Sequence, residues 1–240
     1  MSKRNYGQYC GLAHALDLIG ERWSLLVIRE LMTGPKRYKD LLKQLPGIGT
    51  NLLAKRLRFL EEQGILMRRT LPPPASTEAY DLTDFGRELE PVLIGLAQWG
   101  YQTIPRPGKD TVHFPDWSVL AMKAVFRTEK AAGVQDEYEY RIDEAVFHAR
   151  IRDGQLTTGQ GPVPYPDFVL ETDGPTFLAI VSGELDAQEA QRQGRLTITG
   201  DRDAFVRSTE LFDLAPLHQQ REFKAFELTG RPGPDARKLQ

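Results

Sequence analysis

Through the first hundred positions apolar residues return every three or four residues, the spacing of one face of an α-helix. Leu12, Leu16 and Ile19 form one stripe, closing near Gly20, and Trp23, Leu26, Val27 and Leu31 form a second that stops at Gly34-Pro35. Leu41, Leu42 and Leu45 make a short third before Pro46-Gly47, and Leu53, Leu57 and Leu60 a fourth before Gly64. Glycine and proline after each stripe are the punctuation expected of helix ends. The pattern then changes: residues 65–71 and 79–82 read as strands. Pro72-Pro73-Pro74-Ala75-Ser76-Thr77 between them continues neither strand and reads as a loop. Thr83 is the expected N-cap of one long helix carrying Leu89, Val92, Leu93, Leu96 and Trp99 to Gly100.

After Pro105-Arg106-Pro107-Gly108, which has the composition of a linker, the pattern differs. Residues 116–130 predict a helix with Trp117, Leu120, Val125 and Phe126 on its apolar side. Tyr138, Tyr140 and Ile142 alternate with charged residues, as do residues 146–151, and Asp153-Gly154 supplies a hairpin turn. Residues 168–170 and 196–198 predict further strands, and 175–182, 186–193 and 202–213 further helices. The expected fold class is α+β. Residues 1–103 form the first domain, 104–111 a linker, 112–230 a second α+β domain and 231–240 a flexible tail.

Helix, short helix, tight turn, helix and two-stranded wing is the order of a winged helix-turn-helix. On a helical wheel Leu53, Leu57 and Leu60 converge on one side, while Asn51, Ala54, Lys55 and Arg58 fall on the other. A recognition helix needs this division. Its leucine face fixes it to the domain, and its polar face offers an amide for adenine and cations for guanine in the major groove. Thr50 stands at the helix start, where a hydroxyl and free backbone N–H groups can meet a phosphate. Arg56 lies on the flank, for phosphate contact or for folding over the core edge. Arg37 and Lys39, with Lys36, stand at the start of the preceding helix, and Arg68 and Arg69 on the first wing strand. Alternation puts the last two on opposite faces, so at most one is expected to reach phosphate directly.

Charge supports this division. The net charge is −2, yet residues 1–71 hold thirteen Lys and Arg against six Asp and Glu, and the rest holds eighteen against twenty-seven. A basic first segment joined to an acidic remainder is expected where only one part meets phosphate.

Cys10, Gly20-Glu21-Arg22-Trp23, Gly34-Pro35-Lys36-Arg37-Tyr38-Lys39-Asp40-Leu41, Gly47-Ile48, Leu53-Ala54-Lys55-Arg56-Leu57, Leu60-Glu61, Gly64, Tyr80-Asp81-Leu82-Thr83, Gly86, Leu89 and Trp99-Gly100 occur in that order. This run, over about residues 8–101, resembles the HxlR family of bacterial transcriptional regulators. Gly11 stands where the family usually has proline after the cysteine. The resemblance implies a homodimer joined through the first and last helices of the domain, and double-stranded operator DNA read at two half-sites. Cys10 then has two readings. In some members of that family a cysteine near this point senses oxidants or electrophiles. The other reading, a buried thiol packing the first helix, is the commoner fate of a free cysteine.

Residues 112–213 resemble the sterol carrier protein-like fold. The stretches are Tyr138-Glu139-Tyr140-Arg141-Ile142, Asp167-Phe168-Val169-Leu170-Glu171-Thr172, Phe177-Leu178-Ala179 and Gly194-Arg195-Leu196-Thr197-Ile198. The resemblance implies helices laid across a sheet and an apolar tunnel between them, open to lipids or other apolar molecules. Phe168, Phe177, Ile180, Val181, Phe205 and Phe212 are then the candidate lining, against the commoner role of filling a core. A regulator needs an input, and an apolar small-molecule ligand in such a pocket would supply one.

Catalytic signatures are missing from the sequence. His14, His113, His148 and His218 are scattered, none at metal-ligand spacing, and no GxSxG, P-loop or GxGxxG occurs. Neither an enzyme activity nor a metal or cofactor is expected. No apolar run nears the ~20 residues of a membrane span. The first residues lack a secretory h-region, and the single cysteine fits a reducing compartment. The expected setting is therefore the bacterial cytoplasm, at the nucleoid when DNA is bound, with no membrane partner. The expected function is a dimeric regulator, a repressor; the alternative is a lipid-binding or interaction module whose winged helix docks a protein.

Overall fold

A computed structural model describes residues 5–73, 76–108, 111–112 and 114–214. The predicted tail and the segment from Arg221 to Leu228 lie outside them, as does His113.

The first domain has helices α1 (Gly11–Ile19), α2 (Ser24–Met32), α3 (Tyr38–Gln44) and α4 (Thr50–Glu62), then strands β1 (Leu66–Thr70) and β2 (Glu78–Leu82). The strands pair antiparallel with Leu66 opposite Leu82 and Thr70 opposite Glu78, which makes the wing. Val27, Ile28, Leu31, Leu41, Leu45, Leu53, Leu57, Leu60 and Ile65 form the core, almost wholly shielded from water. Each such side chain contributes about 1.5–3 kcal/mol by leaving water. Gly86 lets the chain close on this core, because a Cβ there would sit 2.2 Å from the Ile65 carbonyl oxygen.

The single long helix expected after Thr83 is two helices, α5 (Asp84–Arg87) and α6 (Glu90–Tyr101). Thr83 does act as an N-cap, accepting from the Gly86 N–H at 3.0 Å, but it caps only the short helix. Pro91 is the cause of the break. It has no N–H to give the Arg87 carbonyl, and its ring clashes with a carbonyl four residues back, so it is tolerated only in a first turn.

The second domain has α7 (Ser118–Val125), strands β3 (Glu137–Ile142), β4 (Ala145–Arg152), β5 (Gln155–Gln160) and β6 (Phe168–Thr172), helices α8 (Gly174–Val181) and α9 (Ala187–Arg192), strand β7 (Leu196–Gly200) and α10 (Arg202–Leu211). The sheet order is β5-β4-β3-β6-β7, with β3 and β6 parallel and the other neighbours antiparallel. The hairpin turn at Asp153-Gly154 was legible, but the strand after it was not, because Gln155–Gln160 is an edge strand with one large apolar side chain, Leu156.

The helix expected over 116–130 is α7 flanked by one-turn 3-10 helices at Pro115–Trp117 and Thr128–Lys130. It stops because Phe126 turns extended and bridges Phe212, while the Arg127 N–H bonds Leu211 at 2.8 Å and the Asp213 N–H bonds Val125 at 2.8 Å. One face of the sheet carries stacked rings, Tyr138 on Phe168 at 4.6 Å and Tyr140 on Phe147 at 5.2 Å. Helices α7 to α10 pack over that face. On α7, Val119 enters this second core while Leu120 enters the first, so one helix joins both domains.

Candidate nucleic-acid interface and ligand cavity

Two local features fix the start of α4. Gly47 has a left-handed backbone (φ +90°) and turns the chain against the Trp23 ring, and the Tyr38 hydroxyl donates to the Thr50 carbonyl at 2.8 Å. Thr50, Asn51, Ala54, Lys55 and Arg58 are exposed, and Leu53, Arg56, Leu57 and Leu60 are buried. Arg56, which the sequence left open, folds over the core edge and pairs with Glu21 at 3.2 Å.

The cations of the domain divide by partner. Lys36 is tied to Asp116 at 3.1 Å. On the wing Arg68 pairs with Glu61 and Glu78, both at 3.1 Å, and stands over the Tyr80 ring. Arg69 pairs with the buried Asp81 at 2.8 Å, which Arg87 also meets at 2.7 Å. Lys55 and Arg58 on α4, and Arg37 and Lys39 at the start of α3, have no carboxylate partner among the described residues. Lys39, Lys55 and Arg58 are exposed and Arg37 half-buried. The wing arginines are thus neutralised within the domain, whereas Arg37, Lys39, Lys55 and Arg58 are not.

Cys10 is exposed, contrary to the burial favoured on sequence grounds. Its helix lies on the outside of the fold: Ala13 is the only buried residue of α1, whereas Leu12 and Leu16 are exposed. On α6, Val92 and Trp99 are exposed as well, Trp99 to 71%. An apolar surface therefore runs along both terminal helices of the domain.

A cavity of about 1030 Å³ opens between the two domains. All six residues named from the sequence line it: Phe168 on β6, Phe177, Ile180 and Val181 on α8, Phe205 on α10, and Phe212 just after α10. Phe168 also belongs fully to the core, edge-on to Phe205 at 5.5 Å. What the sequence reading missed is the opposite wall, which the first domain supplies through Leu25, Leu26 and Arg29 of α2 and Leu93, Leu96 and Tyr101 of α6. A signal was present. Helix α6, with Glu90 and Gln98 as its charged and amide residues, is apolar almost all round, as a helix covered on two sides is.

Polar groups gather on that wall. Glu30, nearly inaccessible to water, accepts from Arg29 and from the Trp117 indole N–H at 2.8 Å. The Arg29 guanidinium lies 4.1 Å from the centre of the Trp117 ring. Burial pushes the Tyr101 hydroxyl above the ordinary tyrosine range, and the positive charge of Arg29 pulls it part of the way back. Asp116, next to Trp117, accepts from both Lys36 and Gln44, the latter at 3.0 Å. Lys123 of α7 pairs with Glu90 of α6. The turn at Pro115–Trp117 is thus anchored to α2, to α3 and to Lys36 two residues ahead of α3, and it leads directly into the cavity helix α7. Among the described residues no group of three or more His, Cys, Asp or Glu is placed to hold a metal ion, and no helix is long and apolar enough to cross a membrane.

Comparison with known proteins gives the two halves different relatives. Residues 18–107 match the family described as HxlR-like helix-turn-helix, and residues 124–213 match the SCP-2 sterol transfer family. An HTH-type transcriptional regulator of Synechocystis sp. is 44% identical over 94 residues, 39% of this chain and 70% of that protein. The HTH-type transcriptional regulator YodB of Bacillus subtilis is 40% identical over 98 residues, 41% of this chain and 86% of that protein. Among solved structures the sec-alkylsulfatase Pisa1 of Pseudomonas sp. overlaps 42% of this chain and 16% of its own, at 24% identity and a TM-score of 0.39.

Proposed function

The chain belongs to the HxlR-like helix-turn-helix family, and from that premise we propose that it is a dimeric transcriptional repressor whose α4 reads operator DNA and whose cavity takes an apolar ligand as input. The observation that carries the DNA reading is the α4 face. Asn51, Ala54, Lys55 and Arg58 stand exposed opposite the buried leucines, and the two cations have no protein partner among the described residues. A cation without a partner meets phosphate or a base edge without first breaking an ion pair. Thr50 joins them at the helix start, with Arg37 and Lys39 as phosphate contacts from α3. Arg68 and Arg69 reach DNA only by leaving Glu61, Glu78 and Asp81, and so serve as secondary contacts on the wing.

The exposed apolar surfaces of α1 and α6 are the dimer faces in this reading, since a large uncovered patch on a regulator marks an interface. A dimer places two α4 helices on two half-sites. The cavity enters because α6 has two duties. Leu93, Leu96 and Tyr101 line the cavity, while Val92 and Trp99 face outward. A ligand that binds one position of α6 more tightly than another shifts the spacing of the half-site readers by that difference in affinity.

The test is binding of the full-length protein to the DNA upstream of its own gene at two salt concentrations. Phosphate neutralisation predicts that log K falls by about 0.9 per contact per log unit of salt. Salt-insensitive binding, or none at low salt, would overturn the proposal.

A further inference from the structure

We propose that the ligand is a single-chain amphipath with an anionic head group, and that the first domain and the linker, not the sterol carrier-like domain, hold its head through Arg29 and Arg106. This rests on the reading of the cavity as the input site. The cavity is unequal at its two sides. The sheet and α8 present Phe168, Phe177 and Ile180, which suit an alkyl chain. The side made by α2, α6 and the linker presents two guanidinium groups and the Tyr101 hydroxyl.

Arg29 has donors to spare. It gives Nε–H and one Nη2–H to a single oxygen of Glu30, leaving three of the five N–H groups a guanidinium carries. Glu30 is also held by the Trp117 indole, so it keeps a partner when Arg29 turns partly to a second anion. Arg106 lines the same cavity and has no ion-pair partner among the described residues. The remaining charged lining residues, Arg127 and Asp213, pair with each other and cancel. Glu30 balances the charge of Arg29 while leaving it donors, so Arg106 is the lining cation with no carboxylate partner among the described residues. An anion there makes charge-assisted hydrogen bonds in a mostly apolar surrounding, where they are strong.

A head group at Arg29 also explains how occupancy reaches the DNA-binding helices. Arg29, Glu30 and Trp117 are bound to one another, and Trp117 follows Asp116, which holds Lys36 ahead of α3 and Gln44 at its last position. An anion that draws on Arg29 changes the electrostatics of this joint, whereas a neutral apolar ligand does not.

Isothermal titration of the full-length protein with decanoate, decanol and decyl phosphate tests the assignment. The two acids are expected to bind at least about tenfold more tightly than the alcohol, the scale of one charge-assisted hydrogen bond. Arg106→Met, a change at an exposed residue, should reduce that preference several-fold. Arg29→Met combined with Arg106→Met should abolish it. Equal binding of acids and alcohol by the wild type, or an undiminished preference in Arg106→Met, would overturn the head-group assignment and leave the cavity reading standing. Failure of all three compounds to bind would overturn both.

Discussion

The two domains bury their apolar residues in different ways. The first packs leucine, isoleucine and valine at the centre of four helices, and α4 sits on that core through Leu53, Leu57 and Leu60. The second stacks aromatic rings on one face of a sheet and leaves a cavity of about 1030 Å³ along its border with the first. Branched aliphatic side chains interdigitate to the density of an organic crystal and hold one arrangement. The rings of the second stack on one another, and its cavity lies beyond them, against the helices of the first domain. The first arrangement suits a helix that must present the same face every time. The second suits an interior that admits something.

The largest effect should come from separating the two copies. Trp99→Asp, or Leu12→Asp, places a charge in the exposed apolar surface of α6 or α1, and both should yield monomers in sedimentation experiments. Operator affinity should fall about 10²–10⁴-fold, because each half-site is then bound alone. Next in size is Leu57→Ala, which opens a hole in the aliphatic core and should cost about 2–5 kcal/mol in chemical denaturation. Phe177→Ala, at a half-buried ring that already borders empty space, should cost less than about 2 kcal/mol of stability. Equal costs for the two truncations would break the contrast between the cores.

Smaller effects separate free cations from paired ones. Lys55→Ala and Arg58→Ala should each weaken operator binding by about 1–3 kcal/mol with the melting temperature unchanged. Arg69→Ala should weaken it by no more than about 1 kcal/mol, since that guanidinium is already engaged with Asp81. A larger loss for Arg69 than for Arg58 would move the reading surface from the helix to the wing.

How much of this was legible in the sequence follows the range of the interactions. The faces of α4 follow from local periodicity, so Asn51, Lys55 and Arg58 could be placed opposite Leu57 without a structure. The six apolar residues now on the cavity wall were named because the resemblance to the sterol carrier protein-like fold implies an apolar tunnel in that domain. What resisted reading depends on partners distant in the chain. No local pattern shows that Arg69 is held by Asp81, that Lys36 is held by Asp116, or that Leu120 leaves its own domain to enter the other core. The stripe Leu12 and Leu16 looked like any amphipathic helix, and only the fold shows that its apolar side is uncovered. Cys10 was expected to be buried because a free cysteine commonly is, and it lies at the exposed start of that helix. Pro91 was in plain view; its power to split the helix was outweighed in the reading by the apolar period that continues across it.

The central claim is that the unpartnered cations of α3 and α4 meet DNA phosphate and bases. Its most direct measurement is operator affinity of the wild type, Lys55→Ala and Arg58→Ala across a salt series. The account predicts a linear fall of log K with log salt for all three, with both variants weaker than the wild type at every salt concentration. Wild-type affinity in both variants, or a flat salt dependence, would contradict it.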